Sequence, residues 1–110
     1  NKLSELLKTR GKSGLLTGKE IFPTEYSLYQ NYPNPFNPVT TIKYDLPKDG
    51  LVKLNVFDIL GRRVATIVNE EKVAGKYEVN FNASSLASGV YVYKLQAGDF
   101  VNSKKMILLK

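Results

Sequence analysis

Three of the chain's five prolines lie in one short stretch, Asn31-Tyr32-Pro33-Asn34-Pro35-Phe36-Asn37-Pro38. Each proline fixes its φ angle and removes a backbone donor, so the stretch can form neither a helix nor a central strand. It nevertheless carries two large rings, Tyr32 and Phe36. We expect a stiff, extended segment across one end of a β-domain, with both rings buried and the asparagines bonded to nearby backbone. An ordinary proline-rich linker is the alternative.

The residues around this stretch alternate between apolar and polar side chains, which is the pattern of half-buried strands. The predicted strands are a short one at about 26–31, then Thr40–Leu46, Leu51–Asp58, Arg62–Asn69, Lys76–Asn82, Val90–Ala97 and Phe100–Leu109. Asp45 and Asn55 are predicted to point outward. The fourth strand does not alternate cleanly, which predicts a bulge, and Gly98-Asp99 predicts a tight hairpin. About seven short strands without a helical period predict an all-β, antiparallel immunoglobulin-like β-sandwich.

Two predictions concern the end of the chain. Tyr91 follows a crossover, where immunoglobulin-like sandwiches place a tyrosine whose hydroxyl bonds upstream backbone; a plain strand aromatic is the alternative. In the last strand, Met106 and Leu108 share one face and Ile107 and Leu109 share the other. This pattern predicts a strand that is covered on both faces.

The composition excludes much chemistry. The 110 residues include no cysteine and no histidine, which excludes zinc sites of the Cys/His type, thiol nucleophiles and imidazole catalysis. Most carboxylates fall in predicted turns, and no calcium-binding loop of the D-x-D-x-D-G type is present. We therefore predict that the chain is not an enzyme and has no metal or cofactor.

The net charge of +6 is uneven, with +3 in residues 1–20 and the remainder spread along the strands. No basic block is interleaved with stacking aromatics, so nucleic acid is not an expected partner. The charge could attract an anionic polymer such as lipopolysaccharide. No apolar run approaches the ~18 residues of a membrane-spanning helix.

The first residues differ from the rest. Gly11, Gly14 and Gly18 stand among serine and lysine, which is the composition of a linker. The chain begins with asparagine and has no signal-peptide core, so we expect a piece of a longer protein. Residues 1–24 are predicted to be a linker or the tail of an upstream domain, and residues 25–110 the folded domain.

Three segments together resemble a known family. They are NYPNPFNPVTTIKYDLP (31–47), VFDILGRRVATI (56–67) and SSLASGVYVYKLQAGDFVNSKKMILLK (84–110). Over about residues 25–110 the chain resembles the C-terminal sorting domain of the type IX secretion system (type A). The immunoglobulin-like domain of flagellar hook-capping proteins is the nearest similar group.

The resemblance implies transport of an attached cargo protein. Such a domain follows its cargo into the periplasm, where the outer-membrane translocon recognises it, and a surface protease removes it in the preceding linker. Here removal would fall between about Gly14 and Glu25, although this linker is more basic than is usual for the family. The cargo would be secreted or joined to anionic lipopolysaccharide at the cell surface. By resemblance, the recognition residues would be Gly89, Val90, Tyr91, Lys104, Lys105 and Lys110.

An accessory surface- or carbohydrate-binding module of a secreted protein is the alternative function. Such a module needs exposed aromatic side chains in a row on one face. The predicted strand parity turns most rings inward and leaves only Tyr29, Phe57 and Phe100 for this purpose.

Overall fold

Seven strands form two antiparallel sheets in the computed structural model, which describes residues 22–110. They are β1 (Ser27–Leu28), β2 (Val39–Leu46), β3 (Gly50–Phe57), β4 (Arg63–Lys72), β5 (Gly75–Asn82), β6 (Gly89–Ala97) and β7 (Phe100–Leu108). One sheet has the order β1-β2-β5 and the other β4-β3-β6-β7. The predicted all-β sandwich of seven strands is confirmed. The predicted linker and removal site lie almost wholly outside the described residues.

The side chains predicted to point inward on the central strands form the core between the two sheets. The fully buried ones are Ile42, Tyr44, Leu46, Val52, Leu54, Val56, Tyr93, Leu95, Met106 and Leu108. On β5, Phe81 is buried while Tyr77 and Val79 are half-buried against the same core. On β2, β3, β5 and β6 the period-2 pattern therefore predicted correctly which face is covered.

Two polar residues predicted to be outward are nevertheless buried. Asp45 is 6% exposed, and its carboxylate accepts hydrogen bonds from the Tyr29 hydroxyl at 2.5 Å and from Lys76 Nζ at 3.4 Å. Asn55 is also buried, and its Oδ1 accepts a bond of 2.8 Å from the Thr66 hydroxyl. Both point to an outer face, where Tyr29 and Lys76 contact Asp45 and Thr66 contacts Asn55. Strand parity determines the face and not the exposure.

The irregular pattern of the fourth strand has the predicted cause. The register between β3 and β4 shifts between Leu54 and Asn55 and again between Val56 and Phe57. Each shift leaves one residue of β4, Ile67 and Val64 respectively, without a partner. Bulges of this kind increase the twist of an edge strand, and β4 is an edge of its sheet.

The outermost strands correct two predictions. The first strand is only two residues long, Ser27–Leu28, because the chain then bends into the proline stretch. The last strand, β7, lies at the edge of the four-stranded sheet with Met106 and Leu108 inward. Ile107 is 37% and Leu109 55% exposed, so the prediction of cover on both faces is wrong. In a two-layer sandwich each sheet has only one inner face.

The proline stretch is part of the fold, but one of its two rings is buried and the other is exposed. Phe36 is 2% exposed and packs against Phe81, with ring centroids 6.5 Å apart, as predicted. Tyr32 is 81% exposed, so its predicted burial is wrong. The Tyr32 backbone pairs with Thr41 on β2, whose neighbour Ile42 points inward, and this register turns the Tyr32 ring outward.

The same stretch joins the two sheets. Tyr32 exchanges backbone hydrogen bonds of 3.0 and 2.9 Å with Thr41 of the first sheet. Phe36 donates to the Ile107 carbonyl at 2.9 Å and accepts from the Leu109 amide at 3.0 Å, at the edge of the second sheet. Asn34 accepts a further bond from the Ile107 amide. These long-range bonds exclude the linker interpretation.

Tyr93 connects the backbone between β1 and the proline stretch to the core. Its hydroxyl donates to the Tyr29 carbonyl and accepts from the Asn31 amide, both at 2.7 Å. Burial raises the pKa of this fully buried phenol to about 12. Two backbone groups therefore depend on one side chain that stays protonated in the folded state.

We expect the stability of the domain to fall as pH rises from about 10 to about 12. In this window the unfolded phenol of Tyr93 ionises while the folded one keeps its proton, so ionisation favours unfolding. Below about pH 10 the phenol is protonated in both the folded and the unfolded state, so its stabilising contribution is fully present. Tyr44, whose pKa is also raised by burial, adds to the same slope.

Denaturant unfolding at several pH values, comparing wild type with Tyr93→Phe, measures this effect. The variant leaves two buried backbone groups unpaired and should lose about 1–3 kcal/mol at neutral pH. The difference in free energy of unfolding between wild type and Tyr93→Phe should shrink as pH rises through the window, because the variant has no phenol at this position to ionise. Tyr32→Phe, at an exposed ring, is the control. An alkaline slope equal in wild type and Tyr93→Phe would contradict the prediction.

Candidate recognition surface

The predicted recognition residues lie on one pair of strands. Strands β6 and β7 pair along their whole length, and the register places Gly89 opposite Leu108 and Val90 opposite Ile107. Lys105 lies opposite Val92, and Lys104 opposite Tyr93. Two segments that were predicted separately from sequence are therefore neighbours in space.

Tyr91 has a structural position within this pair. Its ring faces the core, and its hydroxyl donates a 2.7 Å bond to the carbonyl of Ala87. The predicted corner bond to upstream backbone is confirmed, and it holds the crossover between β5 and β6 against the sheet. The ring itself is buried and is not offered to a partner.

Lys110 is not a free charge. Its backbone amide donates to the Ser88 hydroxyl at 2.9 Å, and its Nζ donates to the carbonyls of Ser84 and Leu86 at 2.7 and 2.8 Å. Charge-assisted bonds of this kind fasten the last residue to the crossover. Lys105 is exposed, on the same outer face as Val90 and Ile107, whereas Lys104 is half-buried on the other face.

The turn between β3 and β4 adds residues that sequence inspection missed. Asp58 shapes this turn: its Oδ1 accepts from the amides of Leu60 and Arg62 at 2.9 and 3.0 Å. These bonds, the Arg62 amide first, hold the pKa of the Asp58 carboxyl below its usual value. Gly61, at φ +82°, completes a turn that few other residues would allow.

This turn presents two aliphatic side chains to the outside. Ile59 is 76% and Leu60 71% exposed. They border a shallow depression of about 350 Å³ whose other side is formed by residues 88–91. Two large aliphatic residues in a tight turn, where polar residues are usual, were the signal available in the sequence.

Together these residues form one exposed apolar surface at the end of the four-stranded sheet. We call it the C-terminal apolar patch; its members are Ile59, Leu60, Val90 and Ile107. Lys105 provides positive charge beside it, whereas Arg62 is paired with the Asp58 carboxylate at 2.8 Å. Clustered aliphatic side chains with a polar rim mark a surface for binding another protein.

Other kinds of site find little support in the described part of the chain. Residues 22–110 contain no group of three or more acidic, cysteine or histidine side chains placed to hold a metal ion. No helix within them is long and apolar enough to cross a membrane.

Fold and patch define an immunoglobulin-like β-sandwich with an apolar surface beside its last strand. Residues 30–109 match the secretion system C-terminal sorting domain, and the chain belongs to that family. It is a C-terminal sorting signal of the type IX secretion system, for export of an attached cargo protein to the cell surface or the medium. The resemblance drawn from sequence is confirmed, and the family's role in sorting points to a non-catalytic domain.

Two solved structures share the fold. Dimeric latent PorU from Porphyromonas gingivalis matches with a TM-score of 0.60 and 18% identity over 76% of this chain. PorZ, an essential surface component of the type-IX secretion system of the same organism, matches with a TM-score of 0.53 and 21% identity over 76% of this chain. The matched regions are 9% and 12% of those proteins, so the chain corresponds to a small part of each. The comparison with curated proteins gives no match.

Proposed function

We propose that the type IX translocon recognises this domain, once it has folded in the periplasm, through the C-terminal apolar patch and strand β7. The observation that carries the proposal is that the patch is assembled from three separate segments. The β3–β4 turn, the start of β6 and the end of β7 come together only in the sandwich. A partner that binds this patch therefore binds the folded domain and not the unfolded chain.

The patch also suggests the character of its partner. Its aliphatic centre would be buried by an apolar protein surface, and the exposed Lys105 would favour an acidic group beside it. Gly89 and Val90 belong to this contact, while Tyr91 and Lys110 shape the crossover beside it. Lys104 faces away and belongs to the packing of β7.

The remaining steps concern the cargo. A surface protease would cut between about Gly14 and Glu25, ahead of the first strand at Ser27, and this would leave the sandwich whole. The released cargo would be secreted or joined to anionic lipopolysaccharide. The domain itself would perform no chemistry on the cargo.

A reporter protein fused ahead of residues 1–110 tests recognition in a host that has the type IX system. We expect the wild-type fusion to reach the cell surface and Lys105→Glu to lower the surface fraction several-fold, because it reverses the field beside the patch. Lys53→Glu is the matched control, since Lys53 is exposed on the same sheet but far along β3. Lys110 is left unchanged because its charge holds the crossover.

A wild-type fusion that stays in the periplasm would contradict recognition of this domain by the translocon. Equal export of the Lys105→Glu and Lys53→Glu fusions would instead show that the charge on β7 has no part in recognition. Thermal melting of each purified domain separates either result from misfolding.

A further inference from the structure

The outer face of the three-stranded sheet forms a second, quite different surface. Its outward residues stand in three rows across the strands. The rows are Ser27, Asp45 and Lys76; Tyr29, Lys43 and Glu78; and Tyr32, Thr41 and Asn80. This surface lies on the opposite sheet from the C-terminal apolar patch and is polar except for its two tyrosines.

The two tyrosines stand next to each other along one side of this face. Tyr29 is 44% and Tyr32 81% exposed. Their β2 partners, Lys43 and Thr41, are two residues apart, a distance of ~7 Å along a strand. The face therefore presents two successive aromatic rings, which sequence parity alone did not reveal because Tyr32 was expected to be buried.

Two depressions lie beside these rings. One of about 500 Å³ includes Tyr29, and one of about 410 Å³ includes Tyr32. Both are lined by Lys43 and Glu78, so they are neighbours on this face. We call the two neighbouring depressions the tyrosine groove.

Polar groups position one ring and line the groove. The buried carboxylate of Asp45 accepts the Tyr29 hydroxyl at 2.5 Å and Lys76 Nζ at 3.4 Å, which fixes the tilt of that ring. Lys43 and Glu78 stand 4.0 Å apart with exposed ends, so a donor and an acceptor remain accessible between the rings. The two lysines and two carboxylates give the groove no net charge.

We propose that the tyrosine groove binds a neutral oligosaccharide. A pyranose ring has a face of C–H groups that packs on the electron-rich face of a tyrosine, and two adjacent rings suit two successive sugar units. Its hydroxyls can accept from Lys43 and donate to Glu78. The balanced charge disfavours a polyanionic glycan, and the polar floor disfavours an apolar peptide. This activity is separate from sorting, because it uses the other sheet.

Titration of the ¹⁵N-labelled chain with neutral hexasaccharides of glucose, mannose, xylose and N-acetylglucosamine tests the proposal. With at least one of these, amide shifts should concentrate at Thr41, Lys43 and Glu78 and spare Val90 and Ile107. Tyr32→Ala should weaken binding about two- to tenfold, and Tyr32→Phe should retain it, since only the ring is needed. Leu60→Ala, a largely exposed apolar residue in the β3–β4 turn of the opposite sheet, is the matched control and should bind as wild type does.

Three results would overturn the proposal. The first is the absence of amide shifts at the groove with every neutral hexasaccharide at millimolar concentration. The second is binding that Tyr32→Ala leaves unchanged in a variant that melts like wild type. The third is binding of a polyuronate hexasaccharide alone, which would indicate attraction by lysines. None of these results bears on export, which the fusion assay measures independently.

Discussion

Replacing Phe36 with alanine is expected to lower the free energy of unfolding by about 3–5 kcal/mol, the usual cost of emptying an aromatic site in a core. The ring lies between the two sheets, is 2% exposed and packs against Phe81. The backbone on either side of it is held by the bonds to Ile107 and Leu109, so the segment cannot easily collapse into the vacated space. A loss of this size is a large share of the ~5–15 kcal/mol that stabilises a typical domain.

Tyr32→Ala is the matched control, four residues earlier in the same stretch. Its ring is 81% exposed, so the change should stay within about 0.5 kcal/mol. Denaturant unfolding of both variants, followed by far-ultraviolet circular dichroism, gives the two values. Similar losses for Phe36→Ala and Tyr32→Ala would mean that the stretch is not anchored through one ring.

Replacing Ile59 and Leu60 together with serine is expected to abolish surface delivery of a fused cargo while leaving the domain folded. Both side chains are largely exposed, so their loss removes little from the core. At an interface, burying an aliphatic side chain is worth ~1.5–3 kcal/mol, so losing two should weaken translocon binding by well over tenfold. The cargo should then accumulate in the periplasm.

Leu51→Ser with Val73→Ser provides the control for this pair. These residues are also exposed aliphatics, but they lie at the other end of β3 and in the β4–β5 connection. Surface cargo is measured by protease accessibility in intact cells, and folding by the melting temperature of the isolated domain. Normal export of the Ile59→Ser, Leu60→Ser fusion would show that the β3–β4 turn is not part of the recognition surface.

Parts of the three segments that carry the family resemblance meet at one end of the sandwich. The proline stretch pairs with the end of β7 through Phe36, and the β3–β4 turn borders residues 88–91 at the start of β6. Gln30 adds a side-chain bond to the Lys105 carbonyl, so side chains and backbone together cover the outer edge of β7 near its end. A covered edge resists pairing with other chains.

Much of this architecture was predictable from local patterns. The alternation around Ile42, Leu54 and Tyr93 determines which side of each strand is inward, because successive side chains of a strand point to opposite faces. The Gly98-Asp99 hairpin and the bulged fourth strand follow from equally short-range features. The bond from Tyr91 to Ala87 spans only four residues, so it could be anticipated from sequence. A plain strand aromatic was equally compatible with the sequence pattern.

Tertiary structure decided the features that depend on what lies across from each face. Tyr32 and Phe36 look alike in sequence, yet the pairing of one with Thr41 and of the other with Leu108 turns only Phe36 inward. Ile107 and Leu109 look as apolar as Met106, but β7 is an edge strand with a single inner face. Asp45 is covered and Lys110 fastened by residues 16 to 31 positions away. Exposure is set by such non-local contacts, and so are both binding surfaces proposed for this domain.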